Sequence, residues 1–540
     1  MSEEPVKEEP SKILAKLQAI RTRKDLKLKP TPHLKTTFTD FSGDEQDLTI
    51  RYYQVQGILH LIFMKRFLLG DDTGLGKTLQ SIAALCYLWE RNPAQKAIVL
   101  TTKSMAPQWA KEFGKFTKGV RVILANGTRK QRKTAYEAWR RSDKPTVMIM
   151  GYRSAVNDLR ELQNEHGYVL ITDEATAYKN PKTQVHQVVR HLSAQADRTW
   201  ALTATMIKNH LMEGHGIYQV VVPGLFGNAN SFMYYYCIVE MMTVGRGQKV
   251  PRIVGYYPEK VEEFKERVAP YYLGRPKHEV ASELPPLTRK VVDVGVSKEQ
   301  EAKYREAATG LLMVGTPDGE EVEKEVTKLT ALIYHQEIMD HPSLIGCSGD
   351  SEKLKALIEM VTEGDLADSN VIIFTRFSKM VDLMMPELKK GGTHPRRVTG
   401  DETASQRQAA QDAFQNPKDP CRAICITSAG GEGINLQAAK AIIFYDTPWS
   451  AGEYLQILGR MIRIGSVHDN VFAIHLVAKI KNVPTIDEKV MAIIEKKLKL
   501  IESVLGSRLK SKDKNPSEAE AMVPVTSGVN ELFEALQKSS

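Results

Sequence analysis

Two blocks of short, uniformly apolar runs constrain this chain most. The first holds "RFLLGDDTG", "KAIVLTT", "VRVILA", "TVMIMG", "YVLITDE" and "RTWALTAT" between residues 66 and 205. The second holds "NVIIFTRF", "CRAICITSAG", "KAIIFYDTP" and "NVFAIHLVAK" between residues 370 and 479. Stretches with helical periodicity separate the runs. Apolar runs without polar alternation belong to strands buried on both faces, so each block predicts a parallel sheet covered by helices. The expected fold is α/β, with two such lobes and a mainly helical insertion between them.

The expected organisation follows from where that rhythm starts and stops. Residues 1–47 are a charged arm with one short amphipathic stretch, "SKILAKLQAIRTRK", for which Ser11 is a plausible N-cap and Ile13, Leu14, Leu17 and Ile20 share a face. Residues 48–222 form the first lobe. Residues 223–350 form the helical insertion and connection, with Tyr- and Met-rich segments and a basic loop, "VGRGQKVPR", whose Arg246, Lys249 and Arg252 are candidate phosphate contacts or a solvated loop. Residues 351–505 form the second lobe, ending in a helix with Val490, Ile493, Ile494, Leu498, Ile501 and Leu505 turned inward. Residues 506–540 read as a linker and a short final helix.

A length of 540 residues with 42% hydrophobic content allows two or three cores, and the net charge of +9 suits a polyanionic partner. Five scattered cysteines exclude a disulfide framework and point to a reducing compartment. Cys421 and Cys425 have same-face strand parity, which suggests buried thiols. The first residues lack the apolar stretch of a signal peptide, and no run is long enough for a membrane span. A soluble, intracellular, monomeric protein is expected.

Three motifs carry chemistry. "GDDTGLGKTLQS" follows a strand and opens a helix. Gly74 and Gly76 let main-chain N–H groups close on phosphate oxygens, with Asp72, Thr73 and Leu75 completing the loop. Lys77 reaches the β and γ phosphates, and Thr78 offers its hydroxyl to Mg²⁺. Asp71 replaces the first glycine of the usual phosphate-loop pattern. "VLITDEATAYKN" supplies paired carboxylates: Asp173 to hold Mg²⁺ through water, and Glu174 to orient and deprotonate the attacking water. In "QILGRMIRIGS", Gln456, Arg460 and Arg463 stand at i, i+4 and i+7, one face of a helix, and the two arginines look like fingers that complete the nucleotide site.

These motifs occur in the order of a known family. "IRYYQVQGI", "TTKSMAPQWAKEF", "LTATMIKNHLMEG", "IIFTRF" and "AGGEGINLQAAKAIIFYDTPW" join them, and "YYLGRPKHEVASELPP" and "TIDEKV" lie between and after the lobes. The chain resembles the Swi/Snf-type DNA translocases of the superfamily-two helicase-like ATPases, from about residue 48 to 505. That resemblance implies ATP and Mg²⁺ between two RecA-like lobes, and nonspecific binding of double-stranded DNA. It implies that Gln54 reads the adenine and that Gly431, Gly433 and Asn435 couple DNA to nucleotide. It places Thr102, Lys103, Thr203, Thr205, Thr427 and Gln456 at the DNA or in the coupling path. Trp200 reads as core and Trp109 as structural, and Trp449 is the tryptophan to test for DNA contact.

The chain departs from the family at Thr176, where His or Asp is usual, at "LTATMIKN" in place of a Gly-Thr-Pro run, and at "GRMIRIGS", which lacks a His and a Gln. The implied activity is ATP-dependent movement on duplex DNA, in the manner of a minimal motor of repair, recombination or replication in a virus or prokaryote. The alternatives are a strand-separating DNA or RNA helicase, and a remodeller of a DNA-bound protein such as RNA polymerase, with the arm or final helix as a protein contact.

Overall fold

The computed structural model describes residues 10–39, 44–204, 206–207, 211–244, 248–280, 285–308, 311–315, 321–325, 328–431, 434–463, 466 and 468–505. The chain divides into two compact units. The first takes in residues 1–252 and 256–280, the second residues 253–255 and 281–540.

The first unit is built on a seven-stranded sheet. Its strands are β1 (Arg66–Leu69), β2 (Lys96–Thr101), β3 (Arg121–Leu124), β4 (Thr146–Gly151), β5 (Val169–Asp173), β6 (Arg198–Leu202) and β7 (Tyr272–Leu273). The order across the sheet is β7-β1-β6-β5-β2-β4-β3, with every pair parallel. Helices Lys77–Arg91, Ala106–Phe116, Arg129–Arg140 and Gln184–Gln195 make the crossovers. Thr128 and Thr183 cap two of them through their hydroxyls, which accept main-chain N–H groups the first turn leaves open. Four of the largest fully buried side chains are Trp89, Trp109, Trp139 and Trp200, and all four belong to this unit.

The second unit carries six strands: β8 (Leu287–Val294), β9 (Val371–Phe374), β10 (Arg396–Val398), β11 (Ala423–Ile426), β12 (Ala441–Phe444) and β13 (Val471–Ala478). Their order is β8-β13-β12-β9-β11-β10, again all parallel. Period-two packing explains the uniform runs. Ile372, Phe374, Ile424, Ile426, Ile442 and Phe444 enter the core on one side of the sheet, while Val371, Ile373, Ala423, Cys425, Ala441 and Ile443 enter the core on the other. Both faces are covered, so both residue sets are apolar.

A buried ionic cluster ties this unit together. Lys353 Nζ donates to Asp340 Oδ1 at 2.9 Å and Asp487 Oδ2 at 2.7 Å, and the same Asp487 oxygen accepts the main-chain N–H of Ala478. Helices Lys328–Asp340, Glu352–Thr362 and Ile486–Leu505 are thereby joined to the end of β13. Burial pulls the Lys353 ammonium down, but the two carboxylates outweigh it and hold its pKa above the ordinary value.

The segment expected as a helical insertion contains helices Ala229–Tyr236, Pro258–Val268, Lys298–Ala308 and Lys328–Asp340. It also supplies an edge strand to each sheet, β7 to the first and β8 to the second, and two two-stranded sheets, Cys237–Val244 with Gln248–Tyr256 and the antiparallel Leu311–Gly315 with Glu321–Glu325. Strand β8 is half-exposed along most of its length and lacks the uniform apolar signature of the central strands.

Two local expectations are corrected. Strand β11 begins at Ala423, so Cys421 precedes it and strand parity does not reach back that far. Cys421 packs in the core on one side of the sheet and Cys425 in the core on the other. Both thiols are free and buried. The arm helix begins at Pro10, which puts Ser11 inside the helix rather than at its cap, as suits proline in a first turn. Leu17 is buried as expected, and the side chains of Ile13 and Leu14 lie outside the described residues, as does everything after Leu505. Among the described residues no helix is long and apolar enough to cross a membrane.

Candidate nucleotide site

The parallel register brings the carboxyl ends of β1, β6, β5 and β2 to one edge of the first sheet. Leu69 stands beside Leu202, Leu202 beside Asp173, and Leu100 beside Thr172. Strands β1 and β2 follow one another in the chain but lie three places apart in the sheet, because β6 and β5 insert between them. Ligands bind open parallel sheets at the carboxyl end of such a crossing. The loop from Asp71 to Thr78, Thr102 and Lys103, Asp173 and Glu174, and Thr203 all lie at or just beyond this edge, whereas Gln54 comes from a helix that precedes β1.

The phosphate loop joins β1 to helix Lys77–Arg91. Gly74 and Gly76 take φ of 87° and 78°, a left-handed conformation that a Cβ would strain. The helix N-terminus has no side-chain cap, so its N–H groups and the positive end of its dipole face the loop. Lys77 Nζ donates to the carbonyls of Asp71 at 2.7 Å and Asp72 at 3.2 Å. Burial lowers the lysine pKa, opposed by the charges of Glu174, Asp71, Asp173 and Asp72. A lysine held on two loop carbonyls at an uncapped helix start, in the field of the Glu174 and Asp173 carboxylates, fits a magnesium-bound triphosphate.

Gln54 lies against this loop. Its Oε1 accepts the main-chain N–H of Arg51 at 3.0 Å, and its Nε2 donates to the Leu75 carbonyl at 3.2 Å. A Cβ on Gly76 would stand 2.5 Å from that Nε2, so the glycine is also needed for the close approach of Gln54.

Asp173 ends β5 and is framed on several sides. Its Oδ2 accepts the indole N–H of Trp109 at 2.7 Å and the Thr101 hydroxyl at 3.2 Å, and its Oδ1 accepts the main-chain N–H of Glu174 at 3.0 Å. The Tyr152 hydroxyl donates to the Asp173 carbonyl at 2.6 Å. Burial and the neighbouring Glu174 carboxylate raise the Asp173 pKa, while the Trp109 bond, Lys77 and Thr101 lower it. Trp109, expected to be only structural, therefore also orients this carboxylate. Its signal in the sequence was a tryptophan in the helix after β2, and the partner that gives it this role lies 64 residues away in the chain.

Glu174 has φ of 53° and ψ of 61°, left-handed for a residue with a side chain. Such strain persists only where its surroundings enforce it, and it is concentrated at functional sites. The next turn, Ala175–Tyr178, is fastened on two sides. The Tyr178 hydroxyl pairs with Thr172 Oγ1 at 2.8 Å, and Lys179 forms an ion pair with the buried Glu213 of helix Met212–Val221. That helix packs so closely that a Cβ on Gly216 would stand 1.9 Å from the Lys179 carbonyl. Thr176 is half-buried in a turn held in place by its neighbours.

Thr102 and Lys103 follow β2, and Thr102 Oγ1 accepts the N–H of Met105 at 3.4 Å near the start of the next helix. Lys103 is exposed, and Thr203 is buried at the end of β6 with its N–H on the Leu69 carbonyl. Thr205, Gly433 and Arg246 lie outside the described residues.

In the second unit Thr427 follows β11, with its N–H on the Val398 carbonyl. Gln456 and Arg460 lie on helix Ala451–Met461, but the helix stops before Arg463, which corrects the expectation of one shared face. Ile462 is the C-cap with ψ of 93°, and this extended turn sends Arg463 back along the helix. Its Nε donates to the Gly459 carbonyl at 3.0 Å and its Nη1 to Asn435 Oδ1, which joins an expected arginine finger to an expected coupling residue. Arg376 lies 4.1 Å above the Trp449 ring, so one face of that indole is covered by a guanidinium. The Asp446 carboxylate accepts the Thr375 hydroxyl at 2.6 Å and the main-chain N–H of Arg376, a frame that sequence reading missed.

A model of the SNF2-related domain matches residues 53–344, and one of the helicase conserved C-terminal domain matches residues 352–465. Mouse chromodomain-helicase-DNA-binding protein 1-like is 28% identical over 482 residues, covering 85% of this chain and 50% of that protein. An uncharacterized ATP-dependent helicase of Mycoplasma genitalium is 25% identical over 462 residues, covering 84% of this chain and 42% of its own length. The chain thus spans half the length of these curated relatives or less. Among solved structures, the Sulfolobus solfataricus SWI2/SNF2 ATPase core in complex with dsDNA is 24% identical, with 89% of this chain and 96% of that one covered at a TM-score of 0.42. The class is that of the superfamily-two ATPases. Within it, the chain belongs to the SNF2-related family and carries an ATPase of that type.

Proposed function

We propose that this chain couples ATP hydrolysis to sequence-nonspecific movement along double-stranded DNA. The observation that carries the reading is the assembly at the first sheet's edge, where the phosphate loop, Asp173 in its hydrogen-bonded frame and the strained Glu174 converge in a chain that also matches the helicase C-terminal domain. Support for a nucleic-acid substrate comes from the net charge of +9 and from relatives whose names include helicase and DNA-binding protein.

In this reading residues 48–222 and 351–505 are the two motor lobes. The loop amides and Lys77 hold the β and γ phosphates, and Gln54 exchanges its loop partner for the adenine edge. Thr78 and Asp173 hold Mg²⁺, which when bound supplies neutralising charge beside the phosphates. Glu174 orients the attacking water and takes its proton. Arg460 and Arg463 stabilise the charge that develops on the transferred phosphoryl group. Thr102, Lys103, Thr203 and Thr427 meet the DNA backbone, since hydroxyls and cations contact phosphates without reading bases. Asn435 and Gln456 relay that contact to the arginines.

The test is ATP-driven displacement of a third strand from a triplex, run beside a forked duplex. The proposal expects loss of the third strand with the fork left paired. A separated fork with the triplex intact would replace it with a strand-separating helicase.

A further inference from the structure

Asp71 occupies the position at which the phosphate-loop pattern has its first glycine, and its carboxylate is fully buried. It receives a two-pronged bond from Arg275, whose Nε donates to Oδ1 at 2.8 Å and whose Nη2 donates to Oδ2 at 2.5 Å. Gln80, on the helix that the loop opens, donates to the same carboxylate at 3.0 Å and to the Leu75 carbonyl at 3.2 Å. The main chain repeats the contact. Gly70 N–H donates to the Leu273 carbonyl at 2.7 Å, and Asp72 N–H donates to the Arg275 carbonyl at 3.1 Å. The segment after β7 therefore runs beside the first three residues of the loop and grips them through both backbone and side chain.

The same segment is held from the N-terminal arm. Arg21 Nη2 donates to the carbonyls of Ala269 at 2.9 Å and Tyr272 at 2.6 Å, and its Nε donates to His60 Nε2 at 3.3 Å. Burial brings the His60 pKa down to about 4, which leaves that nitrogen free to accept. Gln56 bridges the two arginines: its Oε1 accepts from Arg275 Nη1 at 3.1 Å, and its Nε2 donates to the carbonyls of Arg21 at 3.1 Å and Arg23 at 2.8 Å. An unbroken hydrogen-bonded chain thus runs from the arm through Gln56 and Arg275 to Asp71.

We propose that Arg275 is a positioning residue of the nucleotide site, which sets the phosphate loop through Asp71 and is itself braced by Arg21 and Gln56. The assignment rests on the reading of this loop as the ATP site. Arginine suits the task because its planar fork fixes the carboxylate in orientation as well as distance, which a lysine ammonium cannot do. Arg275 lies in the segment "YYLGRPK", residues 271–277, after which the chain leaves the first unit at residue 280. Its place ties both the arm and the exit of the first unit to the grip on phosphate.

The experiment measures binding of a fluorescent ATP analogue, without DNA, to the full chain and to its R275K and R21M variants, with thermal melting of each. R275K should bind about tenfold more weakly, and R21M, which leaves the buried pair intact, about threefold. Their effects should be less than additive in the double variant, because they act along one chain of contacts. Wild-type affinity in a folded R275K overturns the inference while leaving the ATP site standing. If R275K does not fold, R21M decides: unchanged affinity there overturns the proposal, and weakened affinity with unchanged melting supports it. A wild type that binds no nucleotide overturns the ATP-site reading and this inference together.

Discussion

The two parallel sheets end differently. At the edge of the first, the functional groups are held in place by residues distant in the chain. Trp109 fixes Asp173 across 64 residues, and Arg275 fixes Asp71 across 204. In the second unit, Arg463 turns back on the Gly459 carbonyl of the helix that precedes it and on Asn435, and the heavy ionic investment lies in the buried cluster of Lys353, Asp340 and Asp487. One edge is held by hydrogen bonds from distant parts of its own unit, while the other has Arg463 engaged with neighbouring groups of its own lobe. Groups held in place stabilise charge without reorganisation at the moment of reaction, so under the proposed function the first unit binds ATP and the second responds.

Substitutions sharpen that contrast, beginning with the largest effect. Glu174→Gln removes the proposed base and keeps the shape, so ATP turnover should fall by about 10⁴-fold while binding of a fluorescent ATP analogue stays near wild type. Parallel loss of binding would mean that Glu174 shapes the pocket instead. Arg463→Lys keeps the charge but loses the planar fork, and a loss in turnover on the order of 10³-fold with unchanged nucleotide affinity is expected from single-turnover rates. Turnover within a few-fold of wild type would show that the second unit's arginine takes no part.

Lys353→Met leaves Asp340 and Asp487 buried without their cation, which costs about 3–5 kcal/mol. Denaturant titration should show the loss in the second unit's transition, with nucleotide affinity at the first unit unchanged. A single shifted transition with weakened nucleotide binding would erase the division of labour between the units. Trp109→Phe has the smallest effect, about tenfold in turnover. In the proposed mechanism Asp173 acts ionised; its pKa is held up by burial and by Glu174, and the indole N–H is the first of three groups that lower it, with Lys77 and Thr101. Removing that donor raises the pKa further, so the acid limb of the pH–rate profile should move to higher pH. A limb that stays in place would mean that the indole bond does not tune the carboxylate.

The same contrast explains what could be read from the sequence. The glycines, Lys77 and the carboxylates lie in continuous stretches because a phosphate loop and a strand end are local structures, and the uniform apolar runs disclosed both sheets. Strands β7 and β8 went unseen because one is two residues long and the other is a half-exposed edge. The helix face assigned to Arg463 failed because spacing alone cannot show that a helix stops at Met461. Trp109 and Arg275 have partners far away in sequence, so their roles appear only once the chain is folded.

The most direct test of the central claim is the steady-state ATPase rate with no nucleic acid, with duplex DNA, with single-stranded DNA and with RNA. A motor whose first unit is preorganised to bind ATP and whose second unit responds to a duplex should turn over slowly alone, and at least tenfold faster with duplex DNA than with the other additions. A rate that is indifferent to duplex DNA, or raised only by single strands or RNA, would contradict the account.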